Sequence, residues 1–125
     1  MKTPQETQIL IVDDDEAIRF SLVQFLEDEE YMVSSAANAQ EAVKMTRSNP
    51  IDLAIVDIRL PGKNGEDLII ELHQECPDIH FIIYTGSCNY ELREDLQSIG
   101  IATVLHKPVS DLTMISRAIS TLLQG

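Results

Sequence analysis

Acidic, hydroxyl and amine side chains stand at or just after the ends of four short apolar runs in this chain of 125 residues. These residues are Asp13, Asp14 and Asp15, then Asp57, Thr85 and Lys107. Carboxylates within a few ångströms of one another repel, so one of them must hold a proton unless a cation shares the site. Mg²⁺ suits such a site because it takes oxygen ligands and keeps several of its waters. If folding gathers the four places, these residues predict a divalent-cation site.

The same residue types suit the transfer of a phosphoryl group. A carboxylate can act as a nucleophile and form a covalent acyl phosphate. A bound cation would neutralise charge on the transferring group. Lys107 would add a second positive charge, and Thr85 would offer a hydroxyl donor to a phosphoryl oxygen.

Apolar runs predict the strands that position these residues, at 8–12, 32–36, 51–56, 80–84 and 101–105. Amphipathic stretches after each run predict five helices, the fourth over 90–98. Asn38 and Asn64 are expected to cap the second and third helices. The residues expected to face the core from the helices include Ile18, Leu22, Phe25 and Leu26; Leu68, Ile69, Leu72 and Cys76; Leu92 and Leu96; and Leu112, Ile115, Ile119 and Leu122.

Strands that alternate with helices predict an α/β fold with a parallel sheet, because strands that run the same way need crossover connections. Right-handed crossovers place helices on both faces of the sheet. We therefore expect a three-layer sandwich of the doubly wound, flavodoxin-like kind, with five strands in the order 2-1-3-4-5. Functional crevices of such sheets lie beyond the carboxyl ends of the strands, where the residues above are found.

The charge balance excludes several partners. The chain has 21 Asp and Glu against 9 Lys and Arg, a net charge of −12, and no basic cluster. This argues against direct nucleic-acid binding by this segment and against attraction to anionic lipid. No apolar run approaches membrane-spanning length, so we expect no membrane association. Two cysteines make no disulfide framework, which suits a cytoplasmic location.

Four segments of the sequence, ILIVDDDEAIR, DLAIVDIRLPGKNG, YTGS and HKP, resemble in order and spacing the receiver domains of two-component response regulators, the CheY-like family. The resemblance covers essentially the whole chain. It implies one receiver domain over 1–125, with 1–7 as an N-terminal extension and no output domain visible. It also implies a signalling switch, which is not an enzyme beyond catalysing its own phosphorylation and dephosphorylation.

Carried over by position, the resemblance implies that Asp57 accepts the phosphoryl group and that Thr85 and Lys107 hold it. The implied ligands of Mg²⁺ or Mn²⁺ are Asp14, Asp57, the Arg59 backbone carbonyl and, through water, Asp13. The register among the three aspartates is open by one position. Asp13 and Asp14 are chosen because they follow Val12 directly, which leaves Asp15 at a helix N-terminus.

The resemblance also implies partners. A histidine kinase or a phosphotransfer protein would donate the phosphoryl group, and an effector would bind the face made of helix four, strand five and helix five. The domain would be a monomer or a weak dimer.

One position departs from the family pattern. Many receivers carry an aromatic residue three positions before the lysine, and this chain has Val104 there. A β-branched side chain is stiff and has no ring to reorient. We therefore expect the signal to leave through the loop after strand four and the fourth helix.

Two other functions fit parts of the sequence. A phosphatase of the haloacid-dehalogenase type uses a DxD motif, which Asp13 and Asp15 satisfy, but it needs a longer chain and an acidic pair after strand four that is missing here. An interaction module that is never phosphorylated would not need every residue type of the site. A Rossmann-type nucleotide binder is weaker still, since no GxGxxG motif or P-loop is present.

Overall fold

A computed structural model describes residues 3–87, 89–101, 103–107 and 111–124. Within these residues, five parallel strands alternate with five α-helices: β1 (Gln8–Val12), α1 (Glu16–Asp28), β2 (Met32–Ala36), α2 (Ala39–Ser48), β3 (Leu53–Val56), α3 (Gly65–Glu75), β4 (His80–Thr85), α4 (Glu94–Ser98), β5 (Val104–His106) and α5 (Thr113–Gln124). The strand order β2-β1-β3-β4-β5 confirms the doubly wound, flavodoxin-like prediction. A short 3-10 helix, Pro4–Glu6, lies within the predicted extension 1–7, of which residues 1–2 are outside the described residues.

The sheet separates two apolar layers because successive strand residues point to opposite faces. In β1, Leu10 and Val12 pack on one face and Ile9 and Ile11 on the other, and all four are buried. The first face is covered by α2, α3 and α4 through Ala39, Ala42, Leu68, Ile69, Leu72 and Leu96. The second face is covered by α1 and α5 through Leu22, Leu26, Ile115 and Ile119. Burial on both faces explains why β1 is apolar without alternation.

Strand register brings the carboxyl ends of the strands to one edge. Val12 at the end of β1 pairs with Val56 at the end of β3, so the residues that follow both strands lie side by side. Thr85 at the end of β4 pairs with His106 at the end of β5. The four predicted positions of chemical interest therefore share one rim of the sheet.

The fourth helix is shorter than predicted, Glu94–Ser98 instead of 90–98. Tyr90 and Leu92 are partly buried against the core, and their spacing of two residues suits extended backbone. Arg93 is also extended and precedes the helix. Burial of alternate side chains thus overrides helix formation in this segment.

Two strands also begin later than predicted. The third starts at Leu53; Asp52 before it donates its N–H to the Gln8 carbonyl at 2.9 Å, and its carboxylate accepts from the Gln8 N–H at 2.8 Å. The fifth strand is Val104–His106 and not 101–105. Ile101 is buried, but its N–H donates to the Leu96 carbonyl at 3.0 Å, so it closes α4 and does not extend the sheet.

The helix caps and the core-facing helix residues in the structure agree closely with those predicted from the sequence. Asn38 and Asn64 each accept a hydrogen bond from the backbone N–H three residues later. Cys76, Leu112 and Leu122 lie at the margins of the apolar layers and are only partly buried. None of the helices in the described part of the chain has the length and apolar character needed to cross a membrane.

Truncation of a core residue tests this packing. Leu72→Ala removes a fully buried side chain between α3 and the sheet, and we expect it to lower the free energy of unfolding by about 2–5 kcal/mol. Phe20→Ala on α1 is the control, because Phe20 is 64% exposed and its loss should change stability by about 0.5 kcal/mol or less. Urea unfolding followed by circular dichroism measures both; equal effects would contradict the assigned burial.

Candidate functional site

Asp13 begins the loop after β1, and hydrogen bonds fix both its backbone and its carboxylate. Its N–H donates to the Ala36 carbonyl at 3.1 Å, which extends the pairing of β1 with β2 by one residue. Its Oδ1 accepts from the Asp15 N–H at 2.9 Å. Its carbonyl accepts from Arg19 Nη1 at 2.7 Å, a contact that the sequence did not predict. With 2% of its surface exposed, Asp13 is a buried carboxylate at the rim of the sheet.

Asp57 occupies the equivalent position after β3. Its N–H donates to the Val12 carbonyl at 2.9 Å, and its Oδ1 accepts from the Arg59 N–H at 3.1 Å. The side chain is largely buried. Asp57 therefore stands beside Asp13, and the following turn holds its carboxylate.

Lys107 follows the edge strand β5, and its side chain extends along the carboxyl edge of the sheet to both carboxylates. Its Nζ lies 2.5 Å from Asp13 Oδ2 and 3.0 Å from Asp57 Oδ2. It also lies 5.4 Å from the centroid of the Tyr84 ring, within the range of a cation–π contact. The Lys107 N–H donates to the Thr85 carbonyl at 2.7 Å, which fixes where the side chain begins.

Thr85 ends β4, which lies between β3 and β5 in the sheet, and its side chain is buried. Its Oγ1 accepts from the Ser87 N–H at 3.1 Å, so the hydroxyl oxygen is engaged by its own loop. The hydroxyl hydrogen can still be donated to another acceptor.

Asp14 and Asp15 have different environments. Asp14 is exposed, and one of its carboxylate oxygens lies within 4.8 Å of oxygens of Asp13 and Asp57. The Asp15 Oδ1 instead accepts from the N–H groups of Ala17 and Ile18, at 2.9 and 3.2 Å, and caps α1. Use of Asp15 as a cap counts against the phosphatase alternative, which needs it in the reaction.

The charges of the cluster do not balance. Burial raises the pKa of Asp13, and the Asp57 charge adds to this, while Lys107 and the Asp15 N–H offset only part of it. Burial disfavours the charged form of Lys107, but its hydrogen bonds to Asp13 and Asp57 outweigh burial and raise its pKa. Lys107 therefore remains an ammonium. One ammonium against three carboxylates leaves negative charge that a second cation would neutralise.

The donor set fits a hard divalent cation. Three carboxylates, from Asp13, Asp14 and Asp57, provide oxygen ligands close enough to share one ion, and the exposure of Asp14 leaves room for the waters that Mg²⁺ keeps. The Arg59 N–H bonds the Asp57 carboxylate, so Arg59 lies next to the cluster. Ligation by the Arg59 carbonyl stays a prediction, as do the individual roles of Asp13 and Asp14.

Gly65 is a supporting residue that the sequence analysis missed. Its N–H donates to the Ile58 carbonyl at 2.8 Å, and a Cβ at this position would lie 2.1 Å from the Asp57 carbonyl oxygen. No other residue type fits without moving the backbone of Asp57. A glycine as the first residue of α3, where helix propensity disfavours it, was the available signal.

Sequence comparison finds the same family over most of the chain. The model of the response regulator receiver domain matches residues 9–119. FixJ of Azorhizobium caulinodans, a transcriptional regulatory protein, is 29% identical over 121 residues, which cover 95% of this chain and 56% of FixJ. AlgB of Pseudomonas aeruginosa, an alginate biosynthesis transcriptional regulatory protein, is 33% identical over 112 residues, which cover 88% of this chain and 25% of AlgB. The chain thus spans a quarter to little more than half of these relatives.

Solved structures share the fold. The response regulator TrrA of Thermotoga maritima, in complex with Mg²⁺ and beryllium fluoride, superposes with a TM-score of 0.81 at 31% identity, over 93% of this chain and 98% of TrrA. A CheY-like receiver domain protein of Methanospirillum hungatei superposes with a TM-score of 0.82 at 33% identity, over 94% of both chains.

Substitution of Gly65 tests the contact behind Asp57. Gly65→Ala should lower the free energy of unfolding by about 1–3 kcal/mol or more, because its Cβ would overlap the Asp57 carbonyl. Gly86→Ala is the matched control, since a Cβ there meets no atom within 4 Å. Thermal unfolding of both variants measures the difference, and an undisturbed Gly65→Ala would contradict the close approach.

Asp14 gives a test of the cation site. The natural chain should gain about 2.7 kcal/mol of stability at a Mg²⁺ concentration one hundred times the Kd, and Asp14→Asn should lose most of this gain at the same concentration. Asp15→Asn is the control, because it removes a charge outside the cluster and asparagine also caps helices. Urea unfolding with and without Mg²⁺ measures the gain; an equal gain in all three proteins would exclude Asp14 as a ligand.

Proposed function

The chain belongs to the response regulator receiver domain family, and on that premise we propose that Asp57 accepts the phosphoryl group of a two-component relay. The observation that carries the proposal is the convergence of Lys107 and two further carboxylates on Asp57. A carboxylate that was only structural would need a partner for its own charge. It would not need a surplus of acidic neighbours, which costs stability unless the site binds a cation.

The residues suggest how each part of the reaction is supported. A carboxylate oxygen of Asp57 attacks phosphorus, the bond to the donor breaks, and an acyl phosphate forms. Lys107, already 3.0 Å from Asp57 Oδ2, would move its ion pair to a phosphoryl oxygen. The Thr85 hydroxyl would donate to another phosphoryl oxygen.

Mg²⁺ or Mn²⁺, held by Asp14, Asp57, the Arg59 carbonyl and, through water, Asp13, would supply charge neutralisation for the transferring group. Asp13 also keeps Lys107 beside Asp57, because the Lys107 ammonium bonds both carboxylates at once. Loss of Asp13 would therefore affect both cations of the site.

We propose that the domain catalyses only its own phosphorylation and dephosphorylation. Water would reach the acyl phosphate past Arg59 and Ser87, which stand two residues after Asp57 and two after Thr85. The side chains at these two positions would set the lifetime of the phosphorylated state.

The proposed partners follow from the family. A histidine kinase or a phosphotransfer protein would donate the phosphoryl group, and an effector would bind the face made of α4, β5 and α5. Both interactions would take place in the cytoplasm. The surplus of acidic residues suits partners with basic surfaces.

Incubation with acetyl phosphate and Mg²⁺ tests the acceptor. The natural chain should gain the mass of one phosphoryl group, and Asp57→Asn should gain none, because an amide cannot form the acyl phosphate. Asp15→Asn should be phosphorylated like the natural chain. Intact-mass spectrometry measures all three, and equal gains in the natural chain and Asp57→Asn would place the acceptor elsewhere. Rapid turnover of a generic phosphate monoester would favour the phosphatase alternative.

A further inference from the structure

Two side chains after β4 bind the first turn of α3. The Tyr90 hydroxyl donates to Glu66 Oε2 at 2.9 Å, and Arg93 Nη2 donates to Asp67 Oδ1 at 3.0 Å. We call these four residues the latch. It joins the segment that follows Thr85 to the helix that follows Asp57.

The Tyr90–Glu66 bond is the stronger half of the latch. Tyr90 is partly buried against the core, and the Glu66 side chain is 15% exposed. Burial and the neighbouring Glu66 carboxylate raise the pKa of Tyr90, so its hydroxyl keeps the proton that it donates. A hydrogen bond to a carboxylate is stronger than one between neutral groups. The Arg93–Asp67 pair has side chains 38% and 50% exposed and contributes less.

Both ends of the latch connect to the phosphoryl site. On one side, the Ser87 N–H donates to Thr85 Oγ1 at 3.1 Å, and the Tyr90 N–H donates to the Ser87 carbonyl at 3.4 Å. On the other side, Gly65 at the start of α3 lies against the Asp57 carbonyl. Three hydrogen bonds, Thr85–Ser87, Ser87–Tyr90 and Tyr90–Glu66, therefore connect Thr85 to the helix behind Asp57.

Few buried side chains hold the described part of the segment around α4. The helix has five residues, its one buried side chain is Leu96, and Arg93 provides no side-chain cap. So short a helix is not stable by itself. The position of this segment therefore depends on a few apolar contacts and on the latch.

We propose that the latch is a lock of the unphosphorylated state, and that it opens when Thr85 turns its hydroxyl to a phosphoryl group on Asp57. This proposal rests on the proposed function. As Thr85 turns, its Oγ1 leaves the Ser87 N–H, Ser87 and Tyr90 shift together, and the Tyr90 hydroxyl leaves Glu66. With a valine at position 104, the latch takes the place of a reorienting aromatic ring.

The latch and the phosphoryl group must weaken each other to the same extent. If phosphoryl binding weakens the latch, then removal of the latch must strengthen phosphoryl binding by the same factor. Tyr90→Phe should therefore bind beryllofluoride, a mimic of the acyl phosphate group, about three- to tenfold more tightly than the natural chain at saturating Mg²⁺. Its affinity for Mg²⁺ alone should not change. Titrations followed by amide NMR signals measure both constants.

Matched variants separate the latch from general loosening of the fold. Tyr31→Phe removes a phenol hydroxyl on the opposite face of the sheet and should leave the beryllofluoride affinity unchanged. Glu66→Gln removes the carboxylate from the same bond and should also tighten binding. The double variant with Tyr90→Phe should tighten binding by less than the product of the two single effects, because both changes weaken the Tyr90–Glu66 bond, while Glu66→Gln also removes the ion pair with Arg93 Nη1 at 3.8 Å.

Each result decides between the proposals. Equal or weaker beryllofluoride binding by Tyr90→Phe overturns the lock, as does equal tightening by Tyr31→Phe or tightening that adds in the double variant. A natural chain that fails to bind beryllofluoride overturns the proposed function, and the lock with it. The natural chain's own titration therefore distinguishes the two failures.

Discussion

Repulsion among carboxylates at the carboxyl edge of the sheet is the constraint on which the rest of the site depends. Asp13 and Asp57 are buried side by side, and Asp14 adds a third charge at their solvent edge. Lys107 relieves part of the repulsion by bonding the two buried carboxylates at once. The arrangement keeps a negatively charged site that suits a divalent cation and, on the proposed function, places the acceptor carboxylate within it. The same residues that cost stability without a cation therefore give the site its chemistry.

The scaffold makes this cluster possible because each member is held by a different element. Asp13 follows β1, Asp57 follows β3, and Lys107 follows β5, with backbone hydrogen bonds at each position. Gly65 adds a constraint from behind, where only a hydrogen atom fits against the Asp57 carbonyl. A rigid sheet edge thus supports groups that would separate if they were on mobile loops.

The number of buried side chains decreases toward α4, and this difference suits a switch. The two apolar layers cover β1, β3 and β4 with buried aliphatic side chains, whereas α4 contributes Leu96 alone. A segment with few buried contacts changes position at a lower free-energy cost than a densely packed one. The contacts of Tyr90 and Arg93 with α3 give that segment one defined position from which to move.

Local pattern determined the strands, most helices, and the residue types of the site. Continuous apolar runs marked β1 and β4, and asparagines at positions 38 and 64 marked two helix starts, because these signals depend on neighbours in the chain. The family resemblance, confirmed by the comparisons, added the expected roles of the site residues. The predicted start of α4 was wrong, because Tyr90 and Leu92 are partly buried against residues distant in sequence.

Tertiary structure alone decided which side chains bond. It placed Lys107 between Asp13 and Asp57 and brought Tyr90 to Glu66. The reason for a glycine at position 65 also became visible only there, since it is the close approach of the Asp57 backbone. Sequence patterns report the preferences of neighbouring residues, whereas ångström-scale contacts between distant segments depend on how the strands and helices pack.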